Sequence, residues 1–219
     1  MEDSLDTSVE CVACEQKNLW HRALVYARAW LVLIVGLFLF SVSIVLQVKS
    51  YFGLGPWDIF HVGVAQVSGL SLGEVSIIAG FVVIVLTYVL AKVRPGPGTV
   101  ANMVLIGVFI DWTYDLIPRV SHLPFQVLMF ASGMVLMGLA SAVYIGAGLG
   151  AGPRDSLMLG LHHVTGWSVR LTRTVIEATV FTIGFLLGGT FGLGTILFVF
   201  GIGPLVQLFF KWFKTDTHK

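Results

Sequence analysis

Long runs of uncharged residues are the main pattern in this sequence. Residues 29–48, 75–91, 123–153 and 178–210 contain no Asp, Glu, Lys, Arg or His, and together they make up 101 of the 219 residues. A helix needs about 20 mostly apolar residues to cross a bilayer core of about 30 Å, so runs of this length predict membrane-spanning helices. The fold class expected from this pattern is an all-α, multi-pass membrane protein.

Glycine-rich segments divide the longest runs. A single helix of 33 residues would be about 50 Å long, which exceeds the bilayer core. We therefore separate helices at "GGTFGLG" (residues 188–194) and at "RPGPG" (residues 94–98). The six predicted transmembrane spans are 29–48, 74–92, 99–117, 124–147, 169–188 and 194–211.

Composition and charge agree with this architecture and orient it. Only 11% of the residues are charged, against about 25% in soluble domains, and a net charge of +1 provides no basic surface for nucleic acid. The first fifteen residues hold five acids and no Lys or Arg, unlike a secretory signal. With a cytoplasmic amino terminus, 11 of the 13 Lys and Arg lie inside and only Lys49 and Arg119 lie outside, as the positive-inside rule favours. Both termini, residues 1–24 and 214–219, are expected in the cytoplasm.

An internal repeat relates the two halves of the chain. The segments "GLGPWDIFHVGVAQVSGLS" (53–71) and "GAGPRDSLMLGLHHVTGWS" (150–168) align at an offset of 97 with eight identities in 19 positions. We predict membrane repeats at 25–118 and 119–213, each with three spans. Because three is an odd number, the second repeat enters the membrane from the opposite side, which is the inverted topology of many transporters.

The shared motif Gly-x-Gly-Pro-x-Asp predicts the start of a short helix in each repeat. Proline suits a first helical position, and the preceding glycine is expected to allow a sharp turn. The helix that follows, about residues 57–67, would be about 16 Å long, too short to span. Either its aspartate simply caps the helix, or the two short helices point from opposite faces towards a shared site for an ion or polar solute. The motif residues are Gly55, Pro56 and Asp58 in the first repeat, and Gly152, Pro153 and Asp155 in the second.

Ionisable residues within the predicted spans are further candidates, because charge is costly in hydrocarbon. Glu177 is expected near the midplane, with Arg173 four residues before it on the same helix face. They form either a structural ion pair, or a functional pair in which Glu177 is a proton or cation site and Arg173 is a gate or an anion clamp. Arg154, which takes the place of Trp57 in the second motif, adds a cation on the cytoplasmic side. Asp111 is a candidate for the outer end of the same cavity.

Other chemistry is poorly represented. Cys11-x-x-Cys14 lacks a second ligand pair for zinc, and His61 and His162-His163 have no nearby paired acids. No phosphate-binding loop and no credible Ser/His/Asp arrangement is found. We therefore expect no metal site, no cofactor and no enzymatic activity.

The motifs carry a resemblance to a known family. At "GLGPWD", "GAGPRDSLMLGL", "TGWSVRLTRTVIE", "LLGGTFGLGT" and "GIGP", the sequence resembles the YczE/YyaS/YitT group of bacterial integral membrane proteins, most closely its YczE-like branch. The resemblance covers about residues 25–210 and implies a multi-pass bacterial inner-membrane protein without implying a substrate. Among its motif positions are Gly194 and Thr195, which follow the last helix break.

Two functions remain open from the sequence. The first is a small-solute or ion-coupled transporter with a central site between inverted repeats. The second is a non-transporting membrane scaffold or regulator that acts through a cytoplasmic partner. The expected partners are the lipid bilayer and a small solute or ion, with no nucleic acid, and homo-oligomerisation stays open.

Overall fold

The computed structural model describes residues 3–150 and 152–213, with side chains from residue 22 onwards. Within these residues the secondary structure consists of eight α-helices and no strands, which confirms the all-α prediction. The helices are α1 (Asp3–Ser50), α2 (Pro56–Ser68), α3 (Leu72–Ala91), α4 (Pro97–Tyr114), α5 (Leu123–Gly146), α6 (Pro153–Thr165), α7 (Val169–Leu186) and α8 (Leu193–Phe213).

Each of the six predicted spans corresponds to one of the longer helices. In the described residues, four segments are long and apolar enough to cross a membrane: Arg22–Ser50 of α1, and helices α3, α5 and α8. Helix α4 ends at Tyr114, three residues before the end of the third predicted span. Helices α4 and α7 have 18 residues each and are not among these four segments. Helix α7 carries three charged residues in its first half. The side chains of Cys11 and Cys14, and residues 214–219, lie outside the described residues.

Helices α2 and α6 are the two short helices predicted from the repeated motif. Each has 13 residues, starts at the motif proline and ends at a glycine with positive φ. The predicted role of the preceding glycine is wrong, because Gly55 and Gly152 have ordinary extended conformations with φ of −68° and −61°. The turn instead uses Gly150, whose φ of +126° suits glycine. Gly55 is needed for space, since a Cβ there would lie 2.7 Å from the Phe198 ring.

Helices α1 and α5 cross as an antiparallel pair in the centre of the fold. Gly36 of α1 lies against Tyr144, and Gly133 of α5 lies against Ser43 and Gln47. These contacts are equivalent under the 97-residue offset, because Gly36 corresponds to Gly133 and Gln47 to Tyr144. The buried core beside this crossing is apolar and draws on α1, α3, α4 and α5.

Each short helix packs against a long helix of the other half. Gly63 of α2 meets the backbone of Gly184 in α7, and Gly160 of α6 meets Thr87 and Ala91 in α3. Small residues at these contacts let the helix backbones approach closely. The contacts are again equivalent at an offset of 97.

Matching backbone hydrogen bonds tie the segment before each short helix to the opposite half. Gly194 N donates to Phe52 O at 2.9 Å, and Gly98 N donates to Leu149 O at 3.1 Å. The side chain of Thr195 adds a third hydrogen bond, since its Oγ1 accepts from Leu54 N at 3.1 Å. The last helix break therefore holds the first motif in position.

Candidate functional site

The amino-terminal turns of α2 and α6 meet at a cavity of about 460 Å³. The guanidinium of Arg154 lies between them, with its Nη2 3.9 Å from Asp58 Oδ1 and its Cζ 4.8 Å from the centre of the Trp57 ring. Trp57 and Arg154 hold equivalent positions in the two motifs, so the two copies of the repeat contact each other at this point. The positive ends of two helices thus converge on one space.

The cavity wall contains both charged and uncharged polar side chains. The ionisable side chains that line it, apart from Tyr144, are Asp58, His61, Arg154, Asp155, Arg173 and Glu177. Uncharged polar groups come from four other helices, through Ser76, Asn102, Ser141 and Gln207. Much of the remaining lining is apolar and includes Phe40, Met103, Ile106, Met137, Phe198 and Ile202. Such a wall suits a small solute that has a polar group and an apolar body.

Asp58 and His61 are buried side by side on one face of α2. Each is only 2% exposed, and their spacing of three residues puts them on neighbouring turns. Asp58 Oδ1 and His61 Nδ1 have no hydrogen-bond partner in the described part of the chain. At 3.9 Å, the Arg154 contact supplies charge compensation for Asp58 without a hydrogen bond. Buried polar atoms are normally satisfied, and Gln47 Oε1, which does not line the cavity, is the other such atom in the described part of the chain.

Arg173 and Glu177 form the ion pair that the sequence left open. Arg173 Nε donates to Glu177 Oε1 at 2.8 Å, across one turn of α7. Their side chains are 57% and 30% exposed, and both border the cavity. The pair lies with Asp155 and Arg154 at the same wall, so the second repeat supplies most of the charge.

Asp111 lies elsewhere and binds the start of α3. Its carboxylate accepts hydrogen bonds from Ser71 Oγ and from Gly73 N, the latter at 2.8 Å. It is not among the residues that line the cavity. Asp111 thus has a local role at a helix amino terminus, where a carboxylate is favoured by the free backbone N–H groups.

The remaining motif residues shape the backbone around the cavity. Gly55, Pro56, Gly152 and Pro153 line it directly, whereas Gly194 and Thr195 act through their contacts with the segment before α2. Within the described residues no cluster of three His, Cys, Asp or Glu side chains is arranged to hold a metal ion.

Sequence reasoning missed the part that His61 and Trp57 play in this cavity. From the sequence, His61 is considered only as a metal ligand. Its spacing of three residues from Asp58 is the signal that could have placed both side chains on one face of α2. Trp57 enters only as the residue whose place Arg154 takes. No signal in the sequence indicates that the two equivalents are in contact.

Comparisons with known proteins identify the family. A family model described as "Family of unknown function (DUF6198)" matches residues 27–211. The chain belongs to this family. It is 42% identical to the uncharacterized membrane protein YczE of Bacillus subtilis over 72% of this chain and 73% of that protein. An uncharacterized protein of Haemophilus influenzae is 34% identical over 80% and 82%, and YyaS of Bacillus subtilis is 25% identical over 80% and 89%. No solved structure matches the chain.

These similarities confirm the resemblance to the YczE/YyaS group. They also agree with the apolar helices in assigning the chain to the membrane proteins, in contact with the lipid bilayer. None of the three relatives carries a named substrate, so the chemistry of the cavity is the basis for a functional proposal.

Proposed function

We propose that this protein is a secondary transporter that moves a small solute or ion through the central cavity. The observation that carries the proposal is the convergence of two short helices, by their amino-terminal turns, on a cavity with buried, incompletely paired polar groups. In many transporters, the ends of interrupted helices form the substrate site near the middle of the membrane.

The proposal includes six transmembrane spans arranged as two inverted repeats. Support comes from the antiparallel crossing of α1 and α5, which occupy equivalent positions in the two halves. Two equivalent helices that run in opposite directions are related by an axis across the helices, which is the relation that inverted repeats require. The exchanged contacts of α2 with α7 and of α6 with α3 follow the same symmetry. Helices α4 and α7 complete the six spans, and two of the charged side chains of α7, Arg173 and Glu177, line the cavity.

The proposed location is the inner membrane of a bacterium, with both termini in the cytoplasm. The excess of Lys and Arg on one side of the six-span arrangement supports this orientation. In that frame the non-helical segment before α2 enters from the outer face and α2 returns to that face, while the segment before α6 and α6 itself do the same at the inner face. Their carboxyl ends, at Ser68 and Thr165, then lie at opposite membrane faces.

Transport would occur by motion of two units around the cavity, one containing α2 and α7 and the other containing α6 and α3. The glycine contacts between α2 and α7 and between α6 and α3 let each short helix move as a unit with a long helix of the other half. Such rocking opens the cavity to one face at a time. The asymmetric charges, with Arg173 and Glu177 only in the second repeat, make the cytoplasmic opening the more polar one.

Accessibility of single cysteines tests this proposal without knowledge of the substrate. Three variants are made in a chain whose two cysteines, Cys11 and Cys14, are replaced by serine: Ser68→Cys, Thr165→Cys and Ser76→Cys. A membrane-impermeant thiol reagent is added to either side of oriented vesicles. Ser68→Cys should react only from the outside and Thr165→Cys only from the inside. Ser76→Cys, which lines the cavity, should react from both sides if the cavity alternates.

The Ser68→Cys and Thr165→Cys variants also serve as controls for the sealing of the vesicles. Reaction of Ser68→Cys and Thr165→Cys from the same side would overturn the inverted topology. Reaction of Ser76→Cys from one side only would contradict alternating access and favour the scaffold or regulatory role, in which the cavity has no need to open to both faces.

A further inference from the structure

The cavity contains a cation placed to bind an anionic group. Arg154 is held in position by Trp57, and its contact with Asp58 is too long for a hydrogen bond. Its side chain is 32% exposed, and it lines the cavity, so its planar set of donors is available to a carboxylate or similar oxyanion. Arg173, the other arginine of the cavity wall, is engaged by Glu177. The amino-terminal turns of α2 and α6 strengthen the preference for negative charge near Arg154.

An anion bound to Arg154 would compete directly with Asp58. Asp58 is nearly fully buried, and Arg154 is the cation that compensates it. Two negative charges would then share one guanidinium, which is costly for the carboxylate that is buried. Uptake of one proton by Asp58 removes this conflict, because the site then gains no net charge when the anion enters.

Other groups around Asp58 are consistent with this exchange. His61 lies on the next turn of α2 with an unpartnered Nδ1, so it can relay the proton to Asp58. The remaining ionisable groups that face the cavity are Asp155 on α6, the Arg173–Glu177 pair on α7 and Tyr144 on α5. The α3 wall contributes the uncharged Ser76, so no further cation from the described cavity lining is available to Asp58.

We infer that the cavity binds a small organic monoanion together with one proton, with Arg154 as the anion ligand and Asp58 as the proton acceptor. This inference rests on the proposed transport function and names its substrate class and coupling ion. The apolar lining accommodates the body of the solute, and a volume of about 460 Å³ falls within the usual range of small-molecule pockets. On the opposite side of the membrane, loss of the anion restores the Arg154–Asp58 pair and releases the proton.

Ring compounds of equal size and different charge test the inference on the purified full chain in detergent. The probes are benzoate and benzenesulfonate as monoanions, benzamide as the neutral form and benzylamine as the cation. Titration calorimetry in two buffers of different ionisation enthalpy gives both the affinity and the number of protons taken up. Both monoanions should bind at least tenfold more tightly than benzamide or benzylamine, with uptake of about one proton per anion near neutral pH. Benzenesulfonate stays ionised near neutral pH, so a proton that is taken up when it binds must reside on the protein.

Variants separate the two roles. Arg154→Gln should weaken monoanion binding about tenfold to hundredfold, as expected for loss of charge-assisted hydrogen bonds. Asp58→Asn should retain binding but lose proton uptake. The matched controls are Arg170→Gln and Asp115→Asn, which change exposed residues outside the cavity wall and should leave both measurements unchanged. If Asp58→Asn does not fold, the unmodified chain still provides the test, because monoanion affinity should rise by about tenfold for each unit of pH decrease while one proton is taken up.

Several results would overturn the inference. These are absence of saturable binding by both monoanions and by the smaller acetate and nitrate, tighter binding of benzylamine than of benzoate, or monoanion binding without proton uptake. None of these results alters the two-sided labelling of Ser76→Cys. Failure of the anion and proton assignment can therefore be distinguished from failure of the transport proposal.

Discussion

Removal of Arg154 should destabilise the protein through the carboxylate that it leaves behind. Asp58 is 2% exposed, and its Oδ1 lies 3.9 Å from the guanidinium without another partner. Coulomb's law gives an attraction of about 4 kcal/mol at this distance with an effective dielectric constant of about 20. The penalty in Arg154→Gln is limited by the alternative of protonating Asp58. At pH 7 that costs about 4 kcal/mol for a carboxyl group with a pKa in water of about 3.9.

The expected loss is therefore about 2–4 kcal/mol in the free energy of unfolding at pH 7. Asp58→Asn should cost less, about 1–2 kcal/mol, because the Arg154 side chain that remains is one-third exposed and can be hydrated from the cavity. The double variant, which combines Asp58→Asn with Arg154→Gln and so places two neutral amides at these positions, should be more stable than Arg154→Gln alone. This ordering follows from which member of the pair is left buried without compensation.

The pH dependence gives the sharper test. A protonated Asp58 in folded Arg154→Gln means that the folded state binds one proton more than the unfolded state at neutral pH, so stability rises as the pH falls. At pH 5 the cost of protonating the carboxyl group is only about 1.5 kcal/mol, and the deficit of the variant should shrink to this value or less. Unfolding in mixed micelles, followed by tryptophan fluorescence at both pH values, measures these differences. A loss below about 1 kcal/mol at pH 7, or an equal loss at both pH values, would refute the dependence of Asp58 on Arg154.

Two further predictions concern packing and capping. Gly63→Ala places a methyl group closer than 3.0 Å to the backbone oxygen of Gly184. It should lower the free energy of unfolding by about 1–3 kcal/mol, whereas Gly203→Ala, with no heavy atom within 4 Å, should show no such loss in the same mixed-micelle measurement. Asp111→Ala removes the carboxylate that binds Ser71 and the start of α3 and should cost about 1 kcal/mol. Calorimetry should show unchanged benzenesulfonate binding by this variant, and a large loss of affinity would contradict its purely local role.

The sequence predicted the helices well because their signals are local. The uncharged runs and the prolines at the start of α2 and α6 depend only on neighbouring residues. The repeat added long-range information, since it identified Gly36 and Gly133, or Asp58 and Asp155, as equivalents. The repeated motif also predicted the two short helices, and it led to the hypothesis that they point towards a shared site.

Contacts between the halves could not be predicted in the same way. Asp58 and Arg154 are separated in sequence by about one full repeat, and nothing local specifies that the guanidinium lies beside this carboxylate rather than beside Asp155. For Asp111, the predicted place at the outer end of the cavity depended on depth in the membrane alone. Its hydrogen bonds to the start of α3 require the antiparallel packing of α3 and α4, although Ser71 and Glu74 form a capping box there that the sequence pattern could have indicated.

The duplicated positions and the diverged positions contribute differently to the cavity. Residues kept in both repeats, such as the motif prolines and aspartates, produce two similar helix starts that meet at the centre. The cations and the additional acid come from positions where the repeats differ: Trp57 against Arg154, Ser76 against Arg173, and Gly80 against Glu177, all of which line the cavity. An arginine at both position 57 and position 154 would bring two guanidiniums together, whereas tryptophan provides a flat apolar face on which one guanidinium can lie. The symmetry of the fold thus accounts for the shape of the site, and the loss of symmetry at these positions accounts for its charge.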